Sequence, residues 1–552
     1  MTHRWLLILL VWVGLCAGCG SDGSGDDSND TDSEISTDDT DSDSDTDTVS
    51  PGPYQVQING VDVPVARTDN FAVPVNYVHV SYAGQPMNVV VTADAVIAGY
   101  TLSPARLMLG DAAAGNELSF TMTEPTYVVL EIPGNERLFV LVDPPEVNAP
   151  AMGAANVVNV ANIAGIDNTG ETDVTALLQG AIDAASGAAQ NIVYVPAGTY
   201  ATKALNLKSD MTLYLAAGAV LKNVVTAGDL LSHPSGYVQI EGCSRGFITM
   251  NGVTNAHLAG RGTIDANGAV LQASDKKMFA VKIENSDSCT VDGIVSQDSA
   301  FWNTMIFRST DIALTNYKVI NNRLNGEYNE TDGVDFNNCT DSLLRNAFLY
   351  TGDDCMAVKS DDIPDDEDYA ATIDPAEGEY MAVDNILHEQ VVCYSGSSAC
   401  KVGTKTFGPT MSNIVYRDID VVTTDRALVI DAVDTTEVVG TVFENIRIDN
   451  VTGRIVDFNM DPESIYWRTT VGICTVTDTA VTNVSSAVSK ECRIGGNIHN
   501  WNENDEYYGN EYFINGVAFT NFSVAGNVIT ALDDADASFN VNEYVTDVTF
   551  AP

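Results

Sequence analysis

The sequence predicts an all-β protein: a right-handed parallel β-helix preceded by a small antiparallel β-sandwich. Three observations carry this. Short apolar pairs recur through the C-terminal two-thirds of the chain at Val281/Ile283, Thr304/Ile306, Val334/Phe336, Met356/Val358, Cys400/Val402 and Leu428/Ile430. Their second members lie 23, 30, 22, 44 and 28 residues apart. A period near two dozen, without intervening helical patterns and with Asn and Gly at the corners, is what a solenoid of short stacked strands requires. Upstream, residues 51–150 show period-two alternation broken by Gly, Asn and Asp turns, the pattern of half-buried strands.

Residues 1–19 read as a targeting segment. A positive start, Met1-Thr2-His3-Arg4, is followed by an apolar stretch from Trp5 to Leu15 that is short for a bilayer span. Cys16-Ala17-Gly18-Cys19 then resembles a bacterial lipoprotein signal, which implies lipidation at Cys19 and leaves simple cleavage as the alternative. Residues 20–50 hold 12 acidic residues and no basic one among Ser, Thr and Gly. Such a stretch cannot bury enough apolar surface to offset its chain entropy and is expected to be a disordered, self-repelling tether. The expected location is the outer face of a bacterial cell, by lipid anchor, or the medium.

The 552-residue chain carries a formal net charge of −50. That field excludes nucleic acid as a partner and leaves a lipid anchor as the only expected membrane contact. A monomer is expected. Eight cysteines remain after the tether, and export permits disulfides. Cys393/Cys400 and Cys474/Cys492 are close enough in sequence to read as local pairs, with connectivity open and buried unpaired thiols as the alternative. No CxxC pair or His cluster marks a transition-metal site, so neither metal nor cofactor is expected.

In the sandwich the expected strands include Tyr54-Val56-Ile58, Val61-Val63-Val65, Tyr77-His79-Ser81 and Val89-Val91. Leu118-Phe120, Val128-Leu130-Ile132 and Leu138-Val140-Val142 follow. Pro64 lacks an amide hydrogen and demotes its run to an edge strand. Residues 151–552 form the second expected domain. It opens with one helix, capped by Thr172, in which Val174, Leu177, Leu178, Ala181, Ile182 and Ala185 repeat at helical spacing. This helix is expected to cover the open end of the solenoid. The long gap before Cys400 is expected to hold an acidic loop, residues 360–380.

Two motifs fall within one repeat: Thr331-Asp332-Gly333-Val334-Asp335 and Gly352-Asp353-Asp354. Asp332 and Asp353 are 21 residues apart, a spacing that stacks them on one face of adjacent coils. Converging carboxyls raise at least one pKa through repulsion and desolvation, leaving a neutral acid beside an ionised base. Glycoside hydrolysis uses that pairing.

Asp332, Asp353 and Asp354, so placed, resemble the three catalytic carboxylates of the polygalacturonases, glycoside hydrolase family 28. Val195-Pro-Ala-Gly-Thr-Tyr200, Gly260-Arg-Gly-Thr-Ile-Asp265, Trp302 and Gly352-Asp-Asp-Cys-Met-Ala-Val-Lys-Ser360 add to the likeness, which spans roughly residues 155–460. The resemblance implies a pectin-lyase-like solenoid and hydrolysis with inversion, Asp353 acting as general acid while Asp332 and Asp354 activate water. Three positions depart from the family pattern. Glu330 stands where an Asn precedes Thr-Asp, Ser398 where a histidine sits between glycines, and Leu428 where a lysine follows Arg-x. A sandwich ahead of the solenoid also resembles the dextranase and isopullulanase family 49, which cleaves neutral α-glucans.

Arg426, Lys401, Trp302 and Asp335 are the expected substrate contacts on a polysaccharide. The lost lysine and the net charge point to a neutral or weakly charged glycan. A calcium-dependent polysaccharide lyase and a surface glycan-binding helix without catalysis are the rival readings. Lys359 is expected to be solvated, and His79, His388 and His499 are given no role. Whether the acidic loop from Asp361 to Asp368 holds a metal stays open.

Overall fold

The computed structural model describes residues 52–226, 229, 246–273, 277–322, 330–360, 382–433, 436–460, 474–498 and 509–552. The targeting segment with Cys19, the acidic tether, the Asp361–Asp368 loop and His499 lie outside the described residues.

Two five-stranded sheets make the sandwich. One runs, in spatial order, Val61–Val63, Tyr54–Ile58, Met87–Ala93, Glu117–Met122, Ala112–Ala114, with every pairing antiparallel. Pro64 ends its strand, which is an edge. The other runs Ala66–Arg67, Val75–Ser81, Arg137–Asp143, Thr126–Glu131, Thr101–Ser103. Here the expectation of a purely antiparallel sandwich fails, because Arg137–Asp143 pairs parallel with Val75–Ser81. Alternation reports which face a residue takes and is silent on strand direction.

The first helix is Thr175–Ala185, with Leu178, Ala181, Ile182 and Ala185 buried. Thr172 does not cap it. Its N-cap residue is Val174, without a side-chain cap; just before it Asp173 Oδ1 accepts the Thr175 amide at 2.9 Å, and the Thr172 amide donates to Asp167. The helix packs on Ile192–Val195, Leu205–Asn206 and Met211–Leu215, the strands of the first coils.

From Val157–Asn159 to Val545–Ala551 the chain winds one continuous sheet, parallel from coil to coil over nearly its whole length. The result is a parallel β-helix. Each inward position stacks on its equivalent in the next coil, as in the run Leu213, Leu258, Val291, Leu314, Leu344, His388, Tyr416, Phe443. His388 sits in this apolar ladder, its ring stacked on that of Tyr416 with centroids 4.7 Å apart and planes nearly parallel. Neither ring nitrogen has a hydrogen-bond partner, and burial pushes its pKa down to about 3. It is a neutral packing group. Corners are turned by residues such as Asn316, Asn346, Asn445, Asn483 and Asn521 at positive φ, which asparagine tolerates. Their amides bond from coil to coil, Asn346 to Asn316 at 2.6 Å and Asn521 to Asn483 at 3.0 Å.

The sandwich lies against the helix through an apolar patch joining Phe71, Tyr77, Tyr127 and Phe139 to Val295, Ile320, Phe348 and Tyr350. Within it Asp143 is wholly buried. It accepts from Lys318 Nζ at 2.5 Å, His79 at 2.7 Å and the Tyr127 hydroxyl at 2.8 Å, with Arg261 at 3.4 Å. A cavity of about 700 Å³ beside this junction, lined by Arg106, Tyr127, Asn316, Arg345 and Asp420 among others, is bordered by none of the carboxylates at 332, 335, 353 or 354.

Of the expected disulfides, neither local pair forms. Cys393 is bonded to Cys355, in the coil beneath it. Cys400 and Cys492 are buried free thiols. Partners in a solenoid are neighbours across coils, so proximity in sequence misleads.

Replacing Asp143 strands the buried Lys318 ammonium, and breaking a buried pair in this way costs about 3–5 kcal/mol. Asp143→Ala is expected to melt well below the wild type by circular dichroism. An unchanged melting temperature would show that this junction holds nothing.

Candidate active site

The site lies on the outer face of one sheet of the helix. In Val334–Asn337 the side chains of Val334 and Phe336 enter the core, so Asp335 and Asn337 face outward. In Met356–Ser360, Met356 and Val358 enter the core and Ala357 and Lys359 face outward. Cys400 and Val402 do the same one coil on, sending Lys401 outward. The register Val334↔Met356↔Cys400 stacks Asp335 on Ala357 and Lys401, and Asn337 on Lys359.

The aspartates occupy the turns that lead into these strands. The coil repeat here is the offset Val334↔Met356, so the equivalent of Asp332 is Asp354; Asp353 precedes it. This corrects the pairing of Asp332 with Asp353 read from their spacing. Asp354 O accepts the Gly333 amide at 2.8 Å, and a Cβ on Gly333 would meet Cys355 O at 2.5 Å, so the coils close only over glycine. Thr351 and Ser395 hydroxyls both donate to Asp353 O at 2.7 Å. The Cys355–Cys393 disulfide ties the same turn to the next coil.

Four carboxyls and two lysines are packed together, all nearly or wholly buried. Lys359 Nζ lies 2.6 Å from Asp335 and 3.1 Å from Asp332. Lys401 Nζ lies 2.7 Å from Asp354 Oδ2, and Ser397 Oγ donates to Asp354 Oδ1 at 3.1 Å. Asp353 Oδ1 accepts the amide of Asp354 at 2.9 Å. Burial, then repulsion from Asp332 and Asp354, pushes Asp353 up to about 8. Burial likewise raises Asp332, to about 6, against the pull of Lys359. Asp354 is desolvated too, but Lys401, Lys359 and Arg426 outweigh burial and hold it well below the usual carboxylate range. Two adjacent carboxyls are thus held in opposite states, Asp353 protonated and Asp354 ionised. Such a pair can donate a proton to one oxygen and take one from another.

The expected substrate contacts take different places. Asp335 is fully buried against Lys359, with burial pushing its pKa well above the usual value. Trp302 is 7% exposed, stacked on Phe301 at 5.0 Å, with Lys359 Nζ 3.4 Å from its ring centroid. Cation–π attraction there holds the lysine that serves Asp332. Lys401 is spent on Asp354. Arg426 is more open, its side chain 21% exposed, with Asp457 at 3.5 Å and Asp431 at 3.9 Å. Arg493 and Arg454 also reach Asp457, at 2.6 and 3.6 Å.

Lys359, expected in solvent, is buried in the cluster, a correction that strand alternation and the coil repeat together could have supplied. Arg454, Arg493 and Asp457 carried no motif, and only the register Val429↔Asp457↔Arg493 reveals them. Leu428 points into the core; Val429 takes the outward position between Lys401 and Asp457. Glu330 pairs with Lys277 at 2.6 Å.

The model of the family "Glycosyl hydrolases family 28" matches residues 185–524. A probable endopolygalacturonase C from Aspergillus aculeatus is 26% identical over 249 residues, 43% of this chain and 57% of that protein. A probable polygalacturonase from Vitis vinifera is 26% identical over 210 residues, 35% of this chain and 42% of that protein. The chain thus spans about half the length of these curated relatives. A solved polygalacturonase from Erwinia carotovora ssp. carotovora superposes with a TM-score of 0.53 at 19% identity, covering 73% of this chain and 99% of that one, a likeness of fold. The matched span contains the whole carboxylate–lysine cluster, and the chain belongs to glycoside hydrolase family 28.

Proposed function

We propose that this glycoside hydrolase is an exported, polygalacturonase-like enzyme that cleaves a polysaccharide with inversion. Asp353 is the general acid, and Asp332 and Asp354 position and activate the attacking water. The observation that carries the reading is the unlike setting of two neighbouring carboxyls, Asp354 bound by Lys401 at 2.7 Å and Ser397 at 3.1 Å while Asp353 Oδ1 accepts the Asp354 amide at 2.9 Å, which favours a proton on Asp353.

Asp353 gives its proton to the glycosidic oxygen as the bond to the anomeric carbon breaks, and the leaving sugar departs as an alcohol. Water attacks the same carbon from the opposite face and passes its proton to the Asp332–Asp354 pair. Lys401 and Lys359 keep that pair charged in a buried place where unpaired carboxylates would neutralise themselves. Attachment to a cell surface through Cys19 and the acidic tether would hold a monomeric enzyme against its polymer.

Galacturonate in the chain would meet Arg426, whose side chain is more open than either lysine of the cluster and suits a planar carboxylate. A neutral glycan is the second reading, favoured by Val429 at the outward position next to the cluster and by Lys401 being occupied. Reducing-end release from polygalacturonate, rhamnogalacturonan, dextran and pullulan separates the two. Activity on polygalacturonate that Arg426→Ala lowers supports the first, and activity confined to the neutral glucans supports the second.

Asp353→Asn is expected to cut kcat by about 10²–10⁴-fold with the fold intact, the usual reach of general acid–base catalysis. Wild-type rates from this variant would remove Asp353 from the mechanism. The pH profile has a defined sign. The acid is competent while protonated, so kcat is retained below about 8 and falls as pH rises through the Asp353 value. The base is competent while ionised, so activity falls as pH drops through the Asp332 value of about 6. Both limbs belong to the coupled cluster. A profile still rising above pH 9 would contradict the assignment.

A further inference from the structure

We propose that Lys401 is a positioning residue that decides which of Asp353 and Asp354 carries the proton, in place of any contact with substrate. This rests on the acid and base roles given above. Strand alternation sends Lys401 outward, and its register partner in the coil below is Ala357, a residue too small to block its path to the turn that bears Asp354. Its backbone is fixed by the Tyr416 hydroxyl, which donates to Lys401 O from within the core. The ammonium ends 2.7 Å from Asp354 Oδ2, and the residue is 7% exposed.

Both oxygens of Asp354 therefore accept from donors, Lys401 on Oδ2 and Ser397 on Oδ1, which favours its ionised form. Asp353 has a backbone amide on Oδ1, and the ion pairs formed among the described residues give it no cation. The asymmetry between two adjacent aspartates is a matter of which one the lysine touches. Lys359 and Arg426 also favour the ionised form of Asp354, but neither touches it. Lys359 is committed to Asp332 and Asp335, and Arg426 leans toward Asp457 and Asp431. Around Lys401 itself stand Asp354 and Asp431, which hold its proton, and Arg426 and Lys359, which repel it. Ser397 offers Asp354 a hydroxyl and no charge, so the sorting of protons falls to the neighbouring strand position.

The test compares wild type, Lys401→Met and Lys401→Arg on whichever polysaccharide the wild type cleaves. Without the ammonium, Asp354 binds a proton more readily, and so does Asp332, which Lys401 also draws down and which sets the low-pH limb. The low-pH limb of kcat is expected to move up by about one pH unit or more, a tenfold change in proton affinity. At the wild-type optimum kcat should fall about tenfold or more while KM stays within about twofold, the pattern of an interaction that acts on the chemical step. Lys401→Arg should return the limb toward its original place. Carbon-13 titration of the aspartate carboxyls reads the same change without turnover, with Asp354 titrating higher in Lys401→Met. Should Lys401→Met fail to fold, Lys401→Gln keeps a donor without a charge and carries the comparison.

A raised KM with unmoved limbs would make Lys401 a substrate contact and overturn the proposal. An unmoved Asp354 titration would overturn it as well. Full activity in Asp353→Asn marks failure of the underlying roles. An inactive Asp353→Asn beside a Lys401→Met profile like the wild type marks failure of this inference alone.

Discussion

Coil-to-coil register is the constraint on which everything else in the molecule depends. Strands in a parallel helix repeat at the sheet spacing of about 4.8 Å, so each outward position forms a column running the length of the molecule. Whatever residue falls in a column is held against its equivalents above and below, however far apart they are in sequence. Val334 over Met356 over Cys400 fixes Asp332 beside Asp354 and places Lys401 one coil from Asp354 and two from Asp332. Slipping one coil by a single residue would turn Asp335, Lys359 and Lys401 into the core and expose the apolar residues between them. Gly333 and the Cys355–Cys393 bond are local devices that keep these particular coils closed to that register.

Electrostatics then does at the site what packing does in the core. Four aspartates in one buried patch is an arrangement that burial and mutual repulsion both oppose, and without cations all four would be driven toward neutrality. The two lysines reverse this selectively. Lys401 touches Asp354 and holds it ionised, Lys359 pairs with Asp332 and Asp335 against the burial that still raises both, and Asp353 forms no ion pair among the described residues. A protein strongly acidic overall thus assembles a small region where base and acid nearly balance. Trp302 belongs to the same logic, its ring face serving as a seat for the Lys359 ammonium.

Much of this was legible in the sequence, and the parts that were not share a physical reason. The repeating apolar pairs reveal inward positions directly, so the parallel β-helix and the coils that carry the aspartate motifs could be read. Alternation similarly exposed the sandwich and the Pro64 edge. What one-dimensional spacing cannot supply is the pairing across coils. The cysteines were paired with near neighbours in sequence, whereas Cys393 lies over Cys355. Lys359 and Asp457 show the same gap, since each gains meaning from a residue one coil away. The Thr172 cap failed because the helix begins after Val174, where Asp173 takes the Thr175 amide.

The central claim is that the cluster splits into a proton donor and a water-activating base on opposite sides of the scissile bond. The configuration of the freshly formed anomeric centre tests that most directly, read by proton NMR before mutarotation scrambles it. Attack by water from the face opposite the leaving group predicts that the first product carries the inverted anomer. A first product that keeps the configuration of the substrate would mean that a carboxylate had bonded to the sugar, and would contradict the roles assigned to Asp332, Asp353 and Asp354.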